Sequence, residues 1–351
     1  LTGNALGAAQ LHPGETVQRL CDVLAGPQVG ARRLQVVYRG RLLQGEEALS
    51  DAGLVDGAEV DVVHSEWPVV MAGLEEGTAV IWNAETGDQV RTFALNPVVC
   101  QSLAFSSDAR LALMGCNDGI LNLCNAETGS HMRMMSARGG TVLCVGFSAD
   151  ATMAISGLVS GTARVWNVVT GACVKTLARH GGGIQACSLS ADKEAAATGG
   201  ADGTVKLWSV RSGKCEATLE GHDGMVLALS FSPQGRLVLS GSFDGSARLW
   251  RADAGALLRT FAGHDAPVMA VAFSADGSQV LTGSFDGTAR LWDVGSGACL
   301  HVLVGHHDAV RAVAFFADQD LLLTGSKDGS VRLWHAATGR CQRTLTAPEG
   351  T

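Results

Sequence analysis

The sequence predicts a mainly β protein whose larger part is a β-propeller, and three observations support this fold class. The first is a marker residue that returns every 42 residues without insertion or deletion, at Trp82, Cys124, Trp166, Trp208, Trp250, Trp292 and Trp334. The second is a pair of glycines, one five residues before and one five residues after each marker. The third is the presence of four short apolar runs per unit. A fixed period near 40 residues with four such runs is typical of a propeller.

The unit that ends near Trp292 shows why each run is predicted to be a strand. The runs 268–273, 279–284, 288–293 and 298–303 are rich in apolar and β-branched residues. The segments SADG, FDG and GSG separate them, and their glycines provide the positive-φ positions that tight turns need. Each unit is therefore predicted to be a four-stranded antiparallel meander. Because one such sheet cannot cover both of its faces, neighbouring sheets should stack and bury them.

The repeated residues also carry a family resemblance. Three units have GH near their start, and the full units have SADG or a variant in their middle and LW at their end. This pattern resembles the WD-repeat signature over residues 65–351. The resemblance implies a seven-bladed WD-repeat β-propeller that acts as a binding platform.

Composition restricts the compartment and the ligands. Hydrophobic residues make up 46% of the 351 residues, yet no run is long enough to span a membrane. The ten cysteines include no CxxC pair, so we predict no metal, no cofactor and a reduced intracellular protein, cytoplasmic or nuclear. Four cysteines stand seven residues after a marker and are predicted to be small apolar strand residues: Cys173, Cys215, Cys299 and Cys341. The net charge of −8 argues against nucleic-acid binding.

Residues 1–64 lack the repeat and predict a second, smaller unit. A helix capped by Thr16 is expected through Leu24, followed by the strands LQVVYRG, RLLQG and AEVDVV. This order, and the run VVYRGRLLQGEEALSDAGLVDGAEVDVV in particular, resembles ubiquitin and implies a small α+β β-grasp domain. The strand that precedes the LTG turn in ubiquitin is missing, which suggests an incomplete piece. The segment has neither a terminal Gly-Gly nor a lysine, so it should not act as a modifier.

Two features of this smaller unit leave alternatives open. The ubiquitin-like recognition patch maps onto Val37 and Val63, but the domain could instead be a small cap packed on the propeller. Residues 60–63 fit either the last strand of the ubiquitin-like unit or the first strand of the first blade. We favour the former, because AEVDVV follows the other elements in order. The first blade would then keep three strands of its own.

Histidine, hydroxyl and aspartate residues recur at fixed places. Ser240, His222 and Asp244 could be taken for a hydrolase triad, but the set occurs in four units, whereas an enzyme needs one. The WD-repeat resemblance implies instead a buried hydrogen-bonded chain within each blade. The four sets are His180, Thr198, Asp202, Trp208; His222, Ser240, Asp244, Trp250; His264, Thr282, Asp286, Trp292; and His306, Thr324, Asp328, Trp334.

The set decays towards the N-terminus, where blades 1–3 are expected to depend on packing alone. The third unit has Arg138, Ser156, Ser160 and Trp166, the second Asn96, Met114, Asp118 and Cys124, and the first Ala72, Glu76 and Trp82. A cation two residues before the marker is predicted to pair with acidic turns of a neighbouring blade, at Arg164, Lys206, Arg248, Arg290 and Arg332. His301, His306 and His307 are not predicted to bind a metal, since no carboxylate or thiol has matching spacing.

The family resemblance also implies a docking face at three positions per blade. Carried over, these positions predict a protein or peptide site on blades 5–7, formed by Met225, Leu227, Phe243, Met269, Phe285, Arg311 and Lys327. Pro267 and Ala309 occupy the remaining positions of blades 6 and 7. Blades 4 and 2 offer only small or polar residues there.

Two classes of function compete, an interaction scaffold and an enzyme. The leading interpretation is a non-catalytic interaction scaffold, with the ubiquitin-like module as a second contact. Within that class the chain could be the substrate receptor of a ubiquitin ligase. It could also be a ribosome assembly factor resembling Notchless, although those have eight blades. A propeller enzyme would need a unique polar cluster near the axis, and no insertion loop provides one. The sequence indicates neither the partner nor an oligomeric state.

Overall fold

The structure, a computed structural model, describes the backbone of residues 32–38, 41–42, 61–66, 69–74, 78–83 and 89–94. It describes residues 99–126, 128–177, 180–316 and 321–346 in full, apart from the side chain of Thr346. All regular elements in these ranges are strands, and they contain no helix that could cross a membrane. The helix predicted over residues 16–24 lies outside the described residues.

The first six strands form two three-stranded sheets. Their bounds are β1 (Arg32–Tyr38), β2 (Arg41–Leu42), β3 (Asp61–Glu66), β4 (Val69–Leu74), β5 (Thr78–Asn83) and β6 (Gln89–Ala94). One sheet has the order β2-β1-β3 and the other the order β4-β5-β6. β3 pairs antiparallel with β1, with Gln35 opposite Val63, so the segment that fitted two roles belongs to the N-terminal sheet.

The next 24 strands form six four-stranded antiparallel sheets, each made of consecutive strands. The first three sheets contain β7 (Cys100–Phe105), β8 (Leu111–Cys116), β9 (Ile120–Asn125), β10 (His131–Ser136); β11 (Val142–Phe147), β12 (Met153–Leu158), β13 (Ala163–Asn167), β14 (Cys173–Leu177); β15 (Ile184–Leu189), β16 (Ala195–Gly200), β17 (Val205–Ser209) and β18 (Cys215–Leu219). The last three contain β19 (Val226–Phe231), β20 (Leu237–Ser242), β21 (Ala247–Arg251), β22 (Leu257–Phe261); β23 (Val268–Phe273), β24 (Gln279–Ser284), β25 (Thr288–Asp293), β26 (Cys299–Val304); β27 (Val310–Phe315), β28 (Leu321–Ser326), β29 (Ser330–His335) and β30 (Cys341–Thr346).

The strand boundaries follow the sequence pattern closely. In the unit that defined the repeat, β23, β24 and β25 have the predicted bounds, and β26 begins and ends one residue later than predicted. The difference lies at a β-bulge, where Trp292 faces Cys299 while Leu291 faces His301. The extra residue places Cys299 and Leu300 on the same side of the sheet.

Within residues 99–346 the core lies between consecutive sheets. The first strands β7, β11, β15, β19, β23 and β27 pack on one another in series. Each marker indole is buried against the sheet before it. Trp292 is 3% exposed and lies with Phe261 of the preceding sheet at a ring-centroid distance of 5.5 Å. The marker face of one sheet therefore packs on the opposite face of its predecessor.

A glycine on five of the six second strands between residues 99 and 346 sets the spacing to the next sheet. A Cβ added at Gly283 would lie 2.8 Å from the Cγ1 atoms of both Val310 and Val313, which belong to the next sheet. Gly241 has the same relation to Val268. Because real Cβ contacts are longer than this, only glycine permits such close approach.

Candidate docking surface and the network beneath it

Four sheets contain a complete side-chain hydrogen-bond chain. In the sheet of β23–β26, Trp292 Nε1 donates to Thr282 Oγ1 at 2.9 Å. The Thr282 hydroxyl lies 2.8 Å from His264 Nε2, and His264 Nδ1 lies 2.8 Å from Asp286 Oδ2. The equivalent distances in the other three chains are 2.7–3.0 Å, through His180, Thr198, Asp202 and Trp208; His222, Ser240, Asp244 and Trp250; and His306, Thr324, Asp328 and Trp334.

The protonation of each imidazole follows from its hydrogen-bond partners and from its burial. Because the carboxylate can only accept, Nδ1–H donates to it, and in a neutral ring Nε2 then accepts the proton of the hydroxyl, which itself accepts from the indole N–H. Burial lowers the pKa of His180, His222, His264 and His306, although the neighbouring aspartate acts in the opposite sense.

The aspartate connects this buried chain to the turn above it. Burial acts to raise the pKa of Asp202, but hydrogen bonds from Gly181 N, Thr204 and His180 outweigh it and lower that pKa to about 2. Asp286 likewise accepts the backbone N–H groups of Asp265 at 3.2 Å and of Thr288 at 2.8 Å. The carboxylate therefore fixes the turn that contains the aspartate, and the residue directly before Asp286 is exposed.

The N-terminal units keep less of this chain. In the third unit Trp166 Nε1 still donates to Ser156 Oγ at 3.0 Å, so the expectation that blades 1–3 depend on packing alone is wrong for this unit. In the second unit Met114 and Cys124 are buried, and Asp118 accepts the backbone N–H of Ile120. Asn96 lies outside the described residues, as do the side chains of Ala72, Glu76 and Trp82.

The predicted docking residues lie above the complete chains of the fifth and sixth units. Phe243 and Phe285 each directly precede a turn aspartate and are 55% and 52% exposed. Their backbone N–H groups donate to Met225 O at 2.8 Å and to Pro267 O at 2.9 Å. Each phenylalanine is therefore held beside the loop that enters the first strand of its own sheet.

The other predicted positions differ in exposure. Met225 is 36% exposed, and Leu227 and Met269 are half-buried at the starts of β19 and β23. Arg311 and Lys327 are exposed in the seventh unit.

The sequence prediction omitted one exposed residue of this surface. It also included one residue that is buried and therefore not part of the surface. Val159 occupies the phenylalanine position in the third unit and is 51% exposed. The 42-residue register could have found it. Ala309 is completely buried and offers nothing to a partner.

The arginines that precede the markers do not pair with acidic turns, which corrects the prediction. Among the described residues, no carboxylate approaches them, and four of them have a buried Nε without a partner: Arg164, Arg248, Arg290 and Arg332. Arg290 lies 6.0 Å from the centre of the Trp292 ring, and a Cβ on Gly263 would be 2.8 Å from its Nη1. The guanidinium lies against the indole in space that the glycine leaves free. Lys206 instead donates to Thr218 Oγ1 at 3.1 Å.

The repeated cysteines lie on the fourth strands, as predicted, and their side chains are exposed. Cys173, Cys215, Cys299 and Cys341 are free thiols at the starts of outer strands. Each Sγ approaches the backbone carbonyl two residues later at 3.4–3.5 Å. The bulge at this position directs the first two side chains of the strand outwards, which a simple alternation does not predict.

The three histidines that were considered and rejected as a metal site have separate contacts. His306 belongs to the buried chain, and His301 Nε2 lies 3.2 Å from Ala337 O. The backbone N–H of His307 donates to Asp328.

Comparison with protein families gives five matches to one model, WD40, described as WD domain, G-beta repeat. The matches cover residues 129–167, 171–209, 213–251, 255–293 and 297–335, more than half of the chain. A search of curated proteins gave no match. Each matched unit begins at the glycine before an outer strand and ends one residue after a marker, so it is out of phase with the sheets. The chain belongs to the WD-repeat family.

Proposed function

We propose that this chain is a non-catalytic scaffold that binds a protein or peptide on the surface around Phe243 and Phe285. WD-repeat domains typically mediate protein interactions, which supports this role in general. The observation that carries the specific proposal is the exposure of two phenylalanines, 55% and 52%, at equivalent positions of consecutive units. We further propose seven blades over residues 65–351 and a ubiquitin-like domain over residues 1–64.

The exposed area is a source of binding energy. A phenylalanine is a large apolar side chain, and its complete burial is worth about 1.5–3 kcal/mol. The backbone of both residues is already held by hydrogen bonds and anchored turns, so little backbone conformational entropy is lost when a partner covers them. Met225, at the rim of the Phe243 turn, is flexible and polarisable and can adapt to the partner's side chains.

Charge suggests the partner's chemistry. Arg311 and Lys327 are exposed in the next unit along the chain, and neither forms an ion pair among the described residues. A partner segment with bulky apolar anchors and a flanking acidic residue would complement this arrangement. The ubiquitin-like domain would make a second contact, as in the ligase-receptor or Notchless-like alternatives. The exposed free thiols support a reducing compartment.

The test compares two double variants for capture of partner proteins. Phe243→Ala with Phe285→Ala should abolish capture of partners that the unmodified chain retains, while the melting temperature stays nearly unchanged. The control is Leu257→Ala with Leu258→Ala, which removes two leucines that are each 46% exposed on an outer strand. Capture should survive in the control.

Other outcomes contradict the proposal. Loss of fold together with loss of capture would show that the phenylalanines belong to the core. Retained capture in the phenylalanine variant would exclude this surface. Arg311→Glu with Lys327→Glu should weaken capture and remove its salt dependence. Removal of residues 1–64 then tests the second contact.

A further inference from the structure

The outer strand β26 differs from every other outer strand that the structure describes. It ends its sheet, whose order is β23-β24-β25-β26, so one edge of its backbone has no strand partner. Each of the six other outer strands contains one charged residue: Arg91, Arg133, Lys175, Glu216, Arg259 and Arg343. β26 has the sequence CLHVLV and contains none. Charged residues on edge strands oppose edge-to-edge pairing, and β26 lacks this protection.

The exposed side chains of β26 form an apolar row. Leu300, Val302 and Val304 alternate along the strand on one face and are 42%, 44% and 70% exposed. The corresponding residues of β30 are polar, Gln342, Thr344 and Thr346.

The opposite face of β26 is already in use. His301, in the position where Arg259 stands in β22, points to the next sheet and contacts Ala337 O. Arg259 makes the matching contact to Val294 O at 2.9 Å. The strand is therefore fixed on one side, while its apolar row and its backbone edge remain open.

We propose that β26 is a dimerisation edge, which pairs antiparallel with β26 of a second copy of this chain. A two-fold axis at Val302 would place that residue opposite its own copy and Leu300 opposite Val304 of the second copy. All three pairs would then lie on one face, and no charges would be brought together. Since the pairing uses the free edge of both strands, the assembly closes at two copies.

A second copy suits this edge because β26 is itself the kind of strand that the edge would accept. An edge strand accepts an extended segment, and the apolar row selects alternating aliphatic residues without charge. β26 itself has that sequence. This surface lies on the outer strand, so the inference does not depend on the docking surface proposed above.

The contact is small, which sets the strength of the expected dimer. One pair of six-residue strands buries much less than the roughly 1,600 Å² of a standard interface. We therefore expect a dissociation constant of about 10–100 µM. Sedimentation equilibrium from about 1 to 500 µM covers this range. A reductant is needed because Cys299 and three other thiols are exposed and could cross-link copies.

The variant Val302→Glu tests the edge, and Thr344→Glu is its matched control. Val302 lies in register with Arg290, and Thr344 lies in register with Arg332. In both variants the new carboxylate faces an arginine of the same sheet, so the folded monomer should tolerate it. In the dimer two glutamates would face each other, and the dissociation constant should rise tenfold or more. The control should dimerise like the unmodified chain.

Each outcome decides the question. A chain that stays monomeric over the whole range, a dimer that survives Val302→Glu, or a dimer that both variants weaken equally would overturn the proposal. Hydrogen exchange on the unmodified chain provides a measurement that needs no variant. Amides of residues 299–304 should exchange more slowly at high protein concentration, while those of residues 341–346 should not. Equal behaviour of the two strands would also overturn it.

Discussion

Removal of His264 should destabilise the fold by an amount that the hydrogen-bond chain predicts. The imidazole makes two bonds, to Thr282 and to Asp286, and its side chain is almost completely buried. Asp286 keeps the backbone donors of Asp265 and Thr288, so the loss there is about 1 kcal/mol.

The hydroxyl of Thr282 is affected more strongly. Without the imidazole, its remaining acceptor is Arg290 O at 3.4 Å, which is a poor hydrogen bond. A buried donor left in this state costs about 1–2 kcal/mol. His264→Ala should therefore lower the free energy of unfolding by about 2–3 kcal/mol.

A double-mutant cycle with Thr282→Val separates the shared bond from the rest. That change also removes the acceptor of Trp292 Nε1, which is buried. Because His264 and Thr282 share a bond, their effects in urea melts should couple by about 1 kcal/mol. Asn96→Ala, at the matching position of the second unit, should change stability by less than about 0.5 kcal/mol. Additive effects in the cycle, or an equal loss from Asn96→Ala, would refute this reasoning.

Two further predictions concern acidity and packing. Burial lowers the pKa of the four histidines in the hydrogen-bond networks, so these residues take up protons at a higher pH in the unfolded protein than in the folded one. Their contribution to stability is therefore complete above about pH 6.5 and is lost as the pH falls below that value. Urea melts from pH 7.5 to 5.5 should show a decline of at most about 1.4 kcal/mol per pH unit for each histidine, and a flat or rising profile would contradict it. Gly283→Ala should cost about 1–3 kcal/mol, because its Cβ would collide with Val310. Gly146→Ala should be nearly neutral, since its Cβ would meet its neighbours at 3.6 Å, and equal losses in thermal melts would show that the contact does not set the spacing.

Periodicity predicted the parts of this fold that depend on a repeated local pattern. The bounds of β23, β24 and β25 followed from apolar runs and turn glycines, because both are local. The bulge at Cys299 could not be predicted, since it depends on the pairing between Trp292 and the next strand. That single extra residue is why the first two side chains of the strand, Cys299 and Leu300, are both exposed.

The charge pattern predicted side-chain contacts less well than the 42-residue register predicted side-chain positions. Arg290 was predicted to pair with an acidic turn, yet its guanidinium lies against Trp292 and Gly263. The sequence contains the arginine, the indole and the glycine, but only their packing shows that they share one space. The exposure of Phe285 shows the reverse case, because its position before the turn aspartate was sufficient to find it.

The offset between the matched units and the sheets determines what a change in repeat number would do to this molecule. The unit 255–293 contains β22, which closes one sheet, and β23, β24 and β25, which begin the next. Deletion of that unit would connect β21 directly to β26, and the junction would again contain four strands. Loss or duplication of one such segment of the gene would therefore leave every sheet of this region with four strands. Each matched unit therefore links two neighbouring sheets, because it contains the outer strand of one sheet and the first three strands of the next.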